Sequence, residues 1–381
     1  MKKNYFMLAL ASMMMAACAN NDLVDDLVKE EVPQAIGFET FAQKATRGSG
    51  TTENSNGEYS LDLKDHHTSF KVWGYKDVQT GYVFDGKEVS YNSGWGYTGL
   101  VYWDNAANSY EFYAAAPATA SLWTLNKNVD ATQNDDYFTI SSNYTVNAHS
   151  IAGVAYQNSF KGTAGAVDLM IADKKNVPNA QFGAAVQLDF THILSRLNIT
   201  VSKAASMADQ TVTLKSLTLF NVNHQGTFDE SKASSTTLSD GTNVRWETNN
   251  DVTTYYGSTE KELKFVSSVT PLPSGAVTTP EYMLQSLIMP QTAAVETVNL
   301  NGTSTGLQEP YFTIVYTITD SGNTEQFSAS YNLASAFKVT GSNTLAFNEG
   351  WQNTLNITIL PTSISFTGSV ATWGTGSSES L

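Results

Sequence analysis

Cysteine is nearly absent: the 381-residue chain carries one, Cys18. That excludes an internal disulfide and any metal site built from several thiolates. Charge is scarce as well, at 15% of residues, well under the roughly 25% of an average soluble protein. Basic residues are the scarcer sign, with 21 Lys and Arg against 36 Asp and Glu and a formal net charge of −15. No stretch gathers Lys and Arg into a patch able to release counterions from a phosphate backbone, so nucleic acid is excluded as a partner. No segment is long and apolar enough to cross a bilayer as a helix, which takes roughly 20 residues. The histidines, 66, 67, 149, 192 and 224, show no spacing that would aim two at one metal. His66 and His67 are adjacent and would face opposite ways on a strand, so a solvated loop is expected there, and neither metal nor cofactor is expected anywhere.

What is present is Ser, Thr, Asn and Gly in place of charge, with 41% hydrophobic and 11% aromatic residues. This is the usage of a secreted, strand-rich protein. At roughly 100 to 200 residues per domain the length allows two or three domains, each able to bury a core. The chain opens with Lys2 and Lys3 and an apolar run from Tyr5 to Ala17, the pattern of an export signal. Met15-Ala16-Ala17-Cys18 resembles a lipoprotein lipobox, which makes Cys18 the expected acylated residue. A buried thiol fits poorly, because Asn20, Asn21, Asp22, Asp25 and Asp26 follow at once. Several acyl chains would give a stable anchor where one would not. The acidic stretch to Glu31 reads as a solvated tether, and Ala35 to Phe41 as a short apolar strand. Lys44-Ala45-Thr46-Arg47 and a Gly/Ser/Asn-rich run follow, reading equally as a plain linker or as a loop open to a trypsin-like protease.

Beyond residue 58 the apolar period is two, bounded by turn residues. Phe312, Ile314, Tyr316 and Ile318 share one face, and Asp320-Ser321-Gly322-Asn323 returns the chain into Phe327–Tyr331 as a hairpin. Leu197, Ile199 and Val201 alternate with Asn198, Thr200 and Ser202, predicting a half-polar strand. A phase slip between Leu214 and Leu217 predicts a bulge. Leu355, Ile357 and Ile359, then Ile364, Phe366 and Val370, form the last two apolar faces. No helical stripe with caps occurs, so the expected architecture is all-β, antiparallel, and closed as sandwiches. Asp173–Ala184, without period or apolar content, reads as the linker between two domains, 48–185 and 186–381. A boundary near 207 is the alternative, set aside because Gln187–Val201 and Thr211–Asn221 read as consecutive antiparallel partners.

Catalytic patterns fail in detail. Gly302-Thr303-Ser304-Thr305-Gly306 matches a nucleophile elbow, but no helix follows and no His lies downstream. Gly81–Lys87 fits a phosphate loop except that Glu88 stands where Ser or Thr must hold the metal. Asp130, Asp135 and Asp136 read as a solvated polar loop. No enzyme is expected.

Several segments together resemble the Mfa-like fimbrillin family. They are Trp103 with Tyr110–Pro117, Asp168–Ala172, Phe190–Leu197, Met289-Pro290-Gln291, and the ending Leu355–Ile359 with Val370–Trp373. The resemblance implies tandem antiparallel β-sandwiches, transthyretin-like with Greek-key connections. It further implies a pilus subunit made as a lipoprotein precursor: residues 1–17 the signal peptide, 18–47 a tether and removable strand, Cys18 lipidated. An Arg-specific protease would cut between Arg47 and Gly48, taking five basic and six acidic groups away and leaving a charge of 16 − 30 = −14. Ile36 and Phe38 would then leave a groove, to be filled by a neighbour's C-terminal strand carrying Ile364, Phe366 and Val370. Ile36-Gly37-Phe38 and Ile364-Ser365-Phe366 share the pattern I-x-F. Replacing Ile364 and Phe366 by Asp is expected to leave a folded monomer unable to extend a filament. Trp103, Phe112 and Tyr113 are expected core aromatics, His192 a core histidine, and Asp168 a turn residue. The implied partners are other copies or paralogous subunits and the outer membrane through lipid, with the fimbrium on the cell surface as location. The alternative is a lipid-anchored surface protein or tip adhesin that meets a glycan or host protein through Trp95, Tyr97 or Tyr102 around Gly94–Gly99.

Overall fold

The computed structural model describes residues 33–42, 62–77, 81–119, 121–127, 136–145, 167–220, 222, 225–232, 245–248, 262–266, 270–272, 282–294, 310–337, 344–372 and 378–380. In chain order the strands are β1 (Phe38–Ala42), β2 (Ser69–Lys76), β3 (Phe84–Tyr91), β4 (Trp95–Gly96), β5 (Ser109–Ala116), β6 (Thr124–Asn126), β7 (Tyr137–Thr145), β8 (Met170–Pro178), β9 (Val186–His192) and β10 (Ser195–Lys203). There follow β11 (Thr211–Phe220), β12 (Gln225–Asp229), β13 (Trp246–Thr248), β14 (Glu262–Val266), β15 (Thr270–Pro271), β16 (Tyr282–Ile288) and β17 (Gln291–Ala294). The last are β18 (Tyr311–Asp320), β19 (Asn323–Asn332), β20 (Thr344–Phe347), β21 (Trp351–Ile359), β22 (Ile364–Thr372) and β23 (Ser378–Ser380). Among the described residues two four-residue helices, α1 (Leu63–His66) and α2 (Ala334–Phe337), and two single 3-10 turns, Asn179–Gln181 and Ala205–Met207, interrupt them, so the fold is all-β.

One seven-stranded sheet runs β1-β9-β8-β5-β2-β3-β4, and a four-stranded sheet runs β13-β12-β7-β6. The larger sheet is covered on both faces. On β5, Phe112, Ala114 and Ala116 enter one apolar cluster while Tyr113 and Ala115 enter another, shared with Trp123, Phe138, Phe228 and Trp246. Two-sided burial accounts for the unbroken run Phe112–Ala116, which period two alone does not predict.

The later chain forms a second pair of sheets, β16-β10-β21-β22-β23 and β14-β11-β18-β19, the latter with β15 beside β11. Between them lies a cluster running from Leu197 to Ile364. The β18–β19 hairpin turns through Ser321 and Gly322, both at positive φ, 51° and 86°, which suits the right-handed twist of paired strands. The β11–β18 register slips between Leu214 and Ser216, so the bulge is present with Lys215 as the extra residue.

Three local expectations are corrected. Asp173–Ala184 is not a linker: its first half is the end of β8, paired to β5 through Asp173, Lys174, Val177 and Pro178. Its polar residues project at a half-covered strand end, where alternation no longer needs apolar side chains. Second, β11 pairs with β14, β15 and β18, not with β9 or β10. The turn Ala205–Met207 carries the chain from one sheet to the facing one, so neighbours in sequence become partners across the core. Third, β10 is not half-polar in environment. It is central, antiparallel to β16 and parallel to β21, and Arg196, Asn198, Thr200 and Lys203 are buried with the apolar face. Lys203 Nζ donates to Gln210 O at 2.8 Å and Thr200 Oγ1 to Asn356 Oδ1 at 2.6 Å, so these two side chains find partners within the protein.

Candidate functional site

The site begins with an alternation. Ile36, Phe38, Thr40 and Ala42 are buried, whereas Ala35, Glu39 and Phe41 are exposed. This short segment joins two edges. From Phe38 to Ala42 it pairs in parallel with β9, in register Phe38↔Val186 to Ala42↔Phe190, and Val186 N donates to Gly37 O at 2.8 Å. Just before, it turns to the opposite side of the sheet. Ala35 bridges Tyr102, Ile36 N donates to Val101 O at 2.8 Å, and Trp103 N donates to Gln34 O at 2.9 Å. Residues 101–103 follow β4, the far edge of the seven-stranded sheet. Residues 34–42 therefore act as a stave that closes an open sheet, satisfying backbone groups on both edges.

Phe38 is the anchor. Its ring meets Phe84 at 5.4 Å, Phe112 at 5.8 Å, Tyr97 at 6.0 Å and Phe70 at 6.2 Å between centroids, three of these edge-on. Such pairs add about 0.5 to 1.5 kcal/mol each beyond area burial. Tyr97 Oη donates to Ile36 O at 2.7 Å. Burial raises the Tyr97 pKa, which keeps the phenol protonated as that donor.

At the other end of the chain, β22 is paired along its length with β21, Ile359↔Ile364 and Ile357↔Phe366, and near its end with β23. Ile364 is buried, and Phe366 packs on Tyr331 at 4.9 Å and Phe312 at 5.5 Å. Gly368 lies so close to α2 that a Cβ there would stand 2.0 Å from Ala336 O. Val370 pairs with Asn353 through the backbone. Cys18, Arg47 and Gly48 lie outside the described residues, as do Asp130, Asp135 and Gly302–Gly306.

The remaining candidates fall into the core. Trp103, Phe112 and Tyr113 are buried. Asp168 and His192, from two separate motifs, meet in a buried pair with Oδ2 2.6 Å from Nδ1. Asp168 thus fixes the end of β9 by a tertiary contact rather than by a turn. His67 is buried, not solvated, because it caps α1, its N–H donating to Leu63 O at 2.7 Å. Asp136 is likewise buried, at the start of β7. Lys87 and Glu88 of the phosphate-loop match lie within β3. Of the three loop aromatics, Tyr97 and Trp95 pack against the core and Tyr102 alone is well exposed.

Two buried polar groups escaped the sequence reading. Arg196 Nε donates to Asn198 Oδ1 at 2.9 Å, and burial drives its pKa well down. Arg245 holds Glu349 through Nε at 2.9 Å, with Glu230 nearby, and burial raises the pKa of both carboxylates. Arg196 and Asn198 lie two residues apart on β10, whereas Arg245 and Glu349 join segments 104 residues apart, which no local pattern announces. Among the described residues no group of His, Cys, Asp and Glu is placed to hold a metal ion, and no helix is long and apolar enough to cross a membrane.

The fold is all-β, with a short N-terminal segment paired to β9 of the seven-stranded sheet on one stretch and bridged to Tyr102, beyond β4, on another. The chain belongs to the Fimbrillin-like family, whose pattern matches residues 62–373. Membership places it among surface fimbrial subunits and adhesins. Solved structures similar to it include a candidate cell adhesion protein from Bacteroides uniformis, 16% identical, covering 89% of this chain and 99% of that one at a TM-score of 0.43. A fimbrial protein from Bacteroides vulgatus is 14% identical over 89% and 99% of the two chains, TM-score 0.41. The tip fimbrial protein Mfa3 of Porphyromonas gingivalis, with C-terminal truncation, is 10% identical over 88% and 99%, TM-score 0.35. A comparison with curated proteins finds no match.

Proposed function

We propose that this chain is a structural pilus subunit, without catalytic activity, that polymerises by donor-strand exchange. In this reading it is exported as a lipoprotein acylated at Cys18 and held at the outer membrane. An Arg-specific protease then cuts between Arg47 and Gly48, and residues 34–42 leave their seat. One observation carries the reading: the only covalent tie of the stave to the fold runs through the segment that contains Arg47, so one cut there makes it dissociable. The vacated seam exposes two strand edges and the places of Ile36 and Phe38, a surface that demands another strand. Filling it with two large apolar side chains stabilises by about 3 to 6 kcal/mol, before backbone bonds and ordering costs. Ile364 and Phe366 of a neighbour supply a matching I-x-F, with Val370 further along the same strand. A head-to-tail contact of this kind does not close on itself and gives a filament. The division of the chain into two units belongs to the same reading, and the pairing of β9 with β8 supports a break after His192 rather than after residue 185.

A second reading, a tip or anchored adhesin, is favoured by the placement of β22. A strand paired on both sides and pressed against α2 must give up its own ladder before it can be donated. A terminal subunit need not do so. N-terminal mass spectrometry of surface-recovered protein, with SDS gels of unheated and boiled samples, separates the two. A chain beginning at Gly48 with a boil-sensitive ladder is expected; acylated Cys18 and monomer alone would establish the anchored adhesin.

A further inference from the structure

A cleft of about 510 Å³ lies where the stave enters the fold, lined by Pro33, Gln34, Trp103, Asn105, Asn179, Phe182 and Gly183. Its size falls within the roughly 300 to 1,000 Å³ of small-molecule sites. Trp103 and Phe182 stack on one another at 4.5 Å with 12° between their planes, which fixes both rings as the aromatic wall bordering the cleft. The Trp103 indole N–H is buried and has no acceptor among the described residues. Among the described residues every lining side chain is uncharged, and three are carboxamides: Gln34, Asn105 and Asn179. Gly183, at a φ of +93°, leaves the space in which the Gln34 carboxamide rests, for a Cβ there would lie 1.8 Å from Gln34 Oε1.

These features select a ligand chemistry. With no charged group among the described lining residues, that part of the cleft has nothing to hold phosphate, carboxylate or ammonium. Carboxamides both donate and accept, as hydroxyl groups do, so several of them beside an aromatic wall suit a neutral polyhydroxylated molecule. We infer that the cleft binds a neutral saccharide of one or two sugar units, and that it does so only in the uncut chain. The second half follows from the lining, because Pro33 and Gln34 belong to the segment that cutting after Arg47 would remove. The site would then sense the state of the stave: an occupied cleft ties residues 33–34 to Asn105 and Asn179 and slows release. This half rests on the maturation proposed above, whereas binding to the uncut chain does not.

The test is saturation-transfer NMR on the full-length chain with glucose, galactose, N-acetylglucosamine and their β-linked disaccharides. The same sugars are applied to a chain beginning at Gly48 and to the variants Asn105→Ala and Asn179→Ala, whose exposed positions leave the core untouched. The expected result is saturable binding of at least one sugar to the full chain, weakened about tenfold or more in each variant and lost in the chain beginning at Gly48. Absence of saturable binding by every sugar, or unchanged affinity in both variants, would overturn the site. Equal binding by the shortened chain would overturn its dependence on the stave. If surface protein proves never to be cut, maturation fails while the binding result on the full chain still stands by itself.

Discussion

The two I-x-F strands have the same side chains and opposite situations. Ile36 and Phe38 belong to a segment that bonds to β9 on one stretch and to residues 101–103 on the next. It has few tertiary ties beyond the aromatic box around Phe38. Ile364 and Phe366 belong to a strand with a nine-pair ladder to β21, a second neighbour in β23 and a helix across its Gly368. An apolar pattern therefore measures what a strand wants to bury, while its exchangeability depends on how many neighbours hold it. The first strand finishes the N-terminal sheet; the second builds the C-terminal core.

The comparison breaks most sharply at Ile364 and Phe366. Because both pack in the core of their own subunit, replacing them by Asp is expected to unfold the C-terminal sheets rather than leave a sound monomer. Each buried charge costs several kcal/mol, enough to exhaust a marginal stability of roughly 5 to 15 kcal/mol. This revises the expectation from pattern alone, and denaturant unfolding of the double variant checks it. A native-like midpoint would show that β22 is only loosely held. Phe38→Ala should cost about 3 to 5 kcal/mol, the usual loss for a buried Phe, but only in the uncut chain. Hydrogen exchange should rise at the amides of Val186, Ile36 and Trp103, with β18 and β21 unaffected. Gly368→Ala tests the clamp on β22, since its Cβ would collide with backbone. Overpacking of this sort costs typically 1 to 3 kcal/mol, read as a lowered denaturation midpoint.

Much of the fold was legible because period two survives wherever one face meets solvent. Phe312–Ile318 with its turn, and the bulge at Lys215, are of that kind. β8 and β10 were misread for complementary reasons. Asp173–Asn176 is polar but still paired, since backbone bonds do not require apolar side chains. Asn198 and Thr200 are polar but enclosed: Arg196 donates to Asn198 within the strand, and Asn356 from β21 meets Thr200. The partner that satisfies Thr200 comes from more than a hundred residues away and leaves no local mark. The site was half legible: alternation marked Ile36 and Phe38 as inward, but nothing in sequence told that the segment pairs on two different edges. Nor did it single out Tyr97, which was read as a sugar-facing aromatic and instead holds the Ile36 carbonyl.

The smallest effects sharpen the contrast further. Tyr97→Phe keeps the ring beside Phe38 and removes one hydrogen bond, a loss of about 0.5 to 1.5 kcal/mol, and should speed release of a cut stave without altering the C-terminal core. Acid should do the reverse. Glu230 and Glu349 have pKa values raised chiefly by burial, so their ionised forms are disfavoured in the folded state. The folded protein then binds more protons than the unfolded chain between the ordinary glutamate value and the raised one. Stability in that window falls as pH rises and grows as pH falls toward about 4.5. Both carboxylates flank Arg245, which ties the β12–β13 edge to the turn before β21. The part of the pH dependence carried by these two carboxylates should therefore vanish in Glu349→Gln combined with Glu230→Gln, measured as a change in the slope of unfolding free energy against pH above about 4.5. Exchange at the Ile36 and Val186 amides, corrected for intrinsic rates, should keep the same protection with or without those substitutions. A protection change there would mean that the stave and the C-terminal core open as one unit, and the two strands would then differ in sequence position alone.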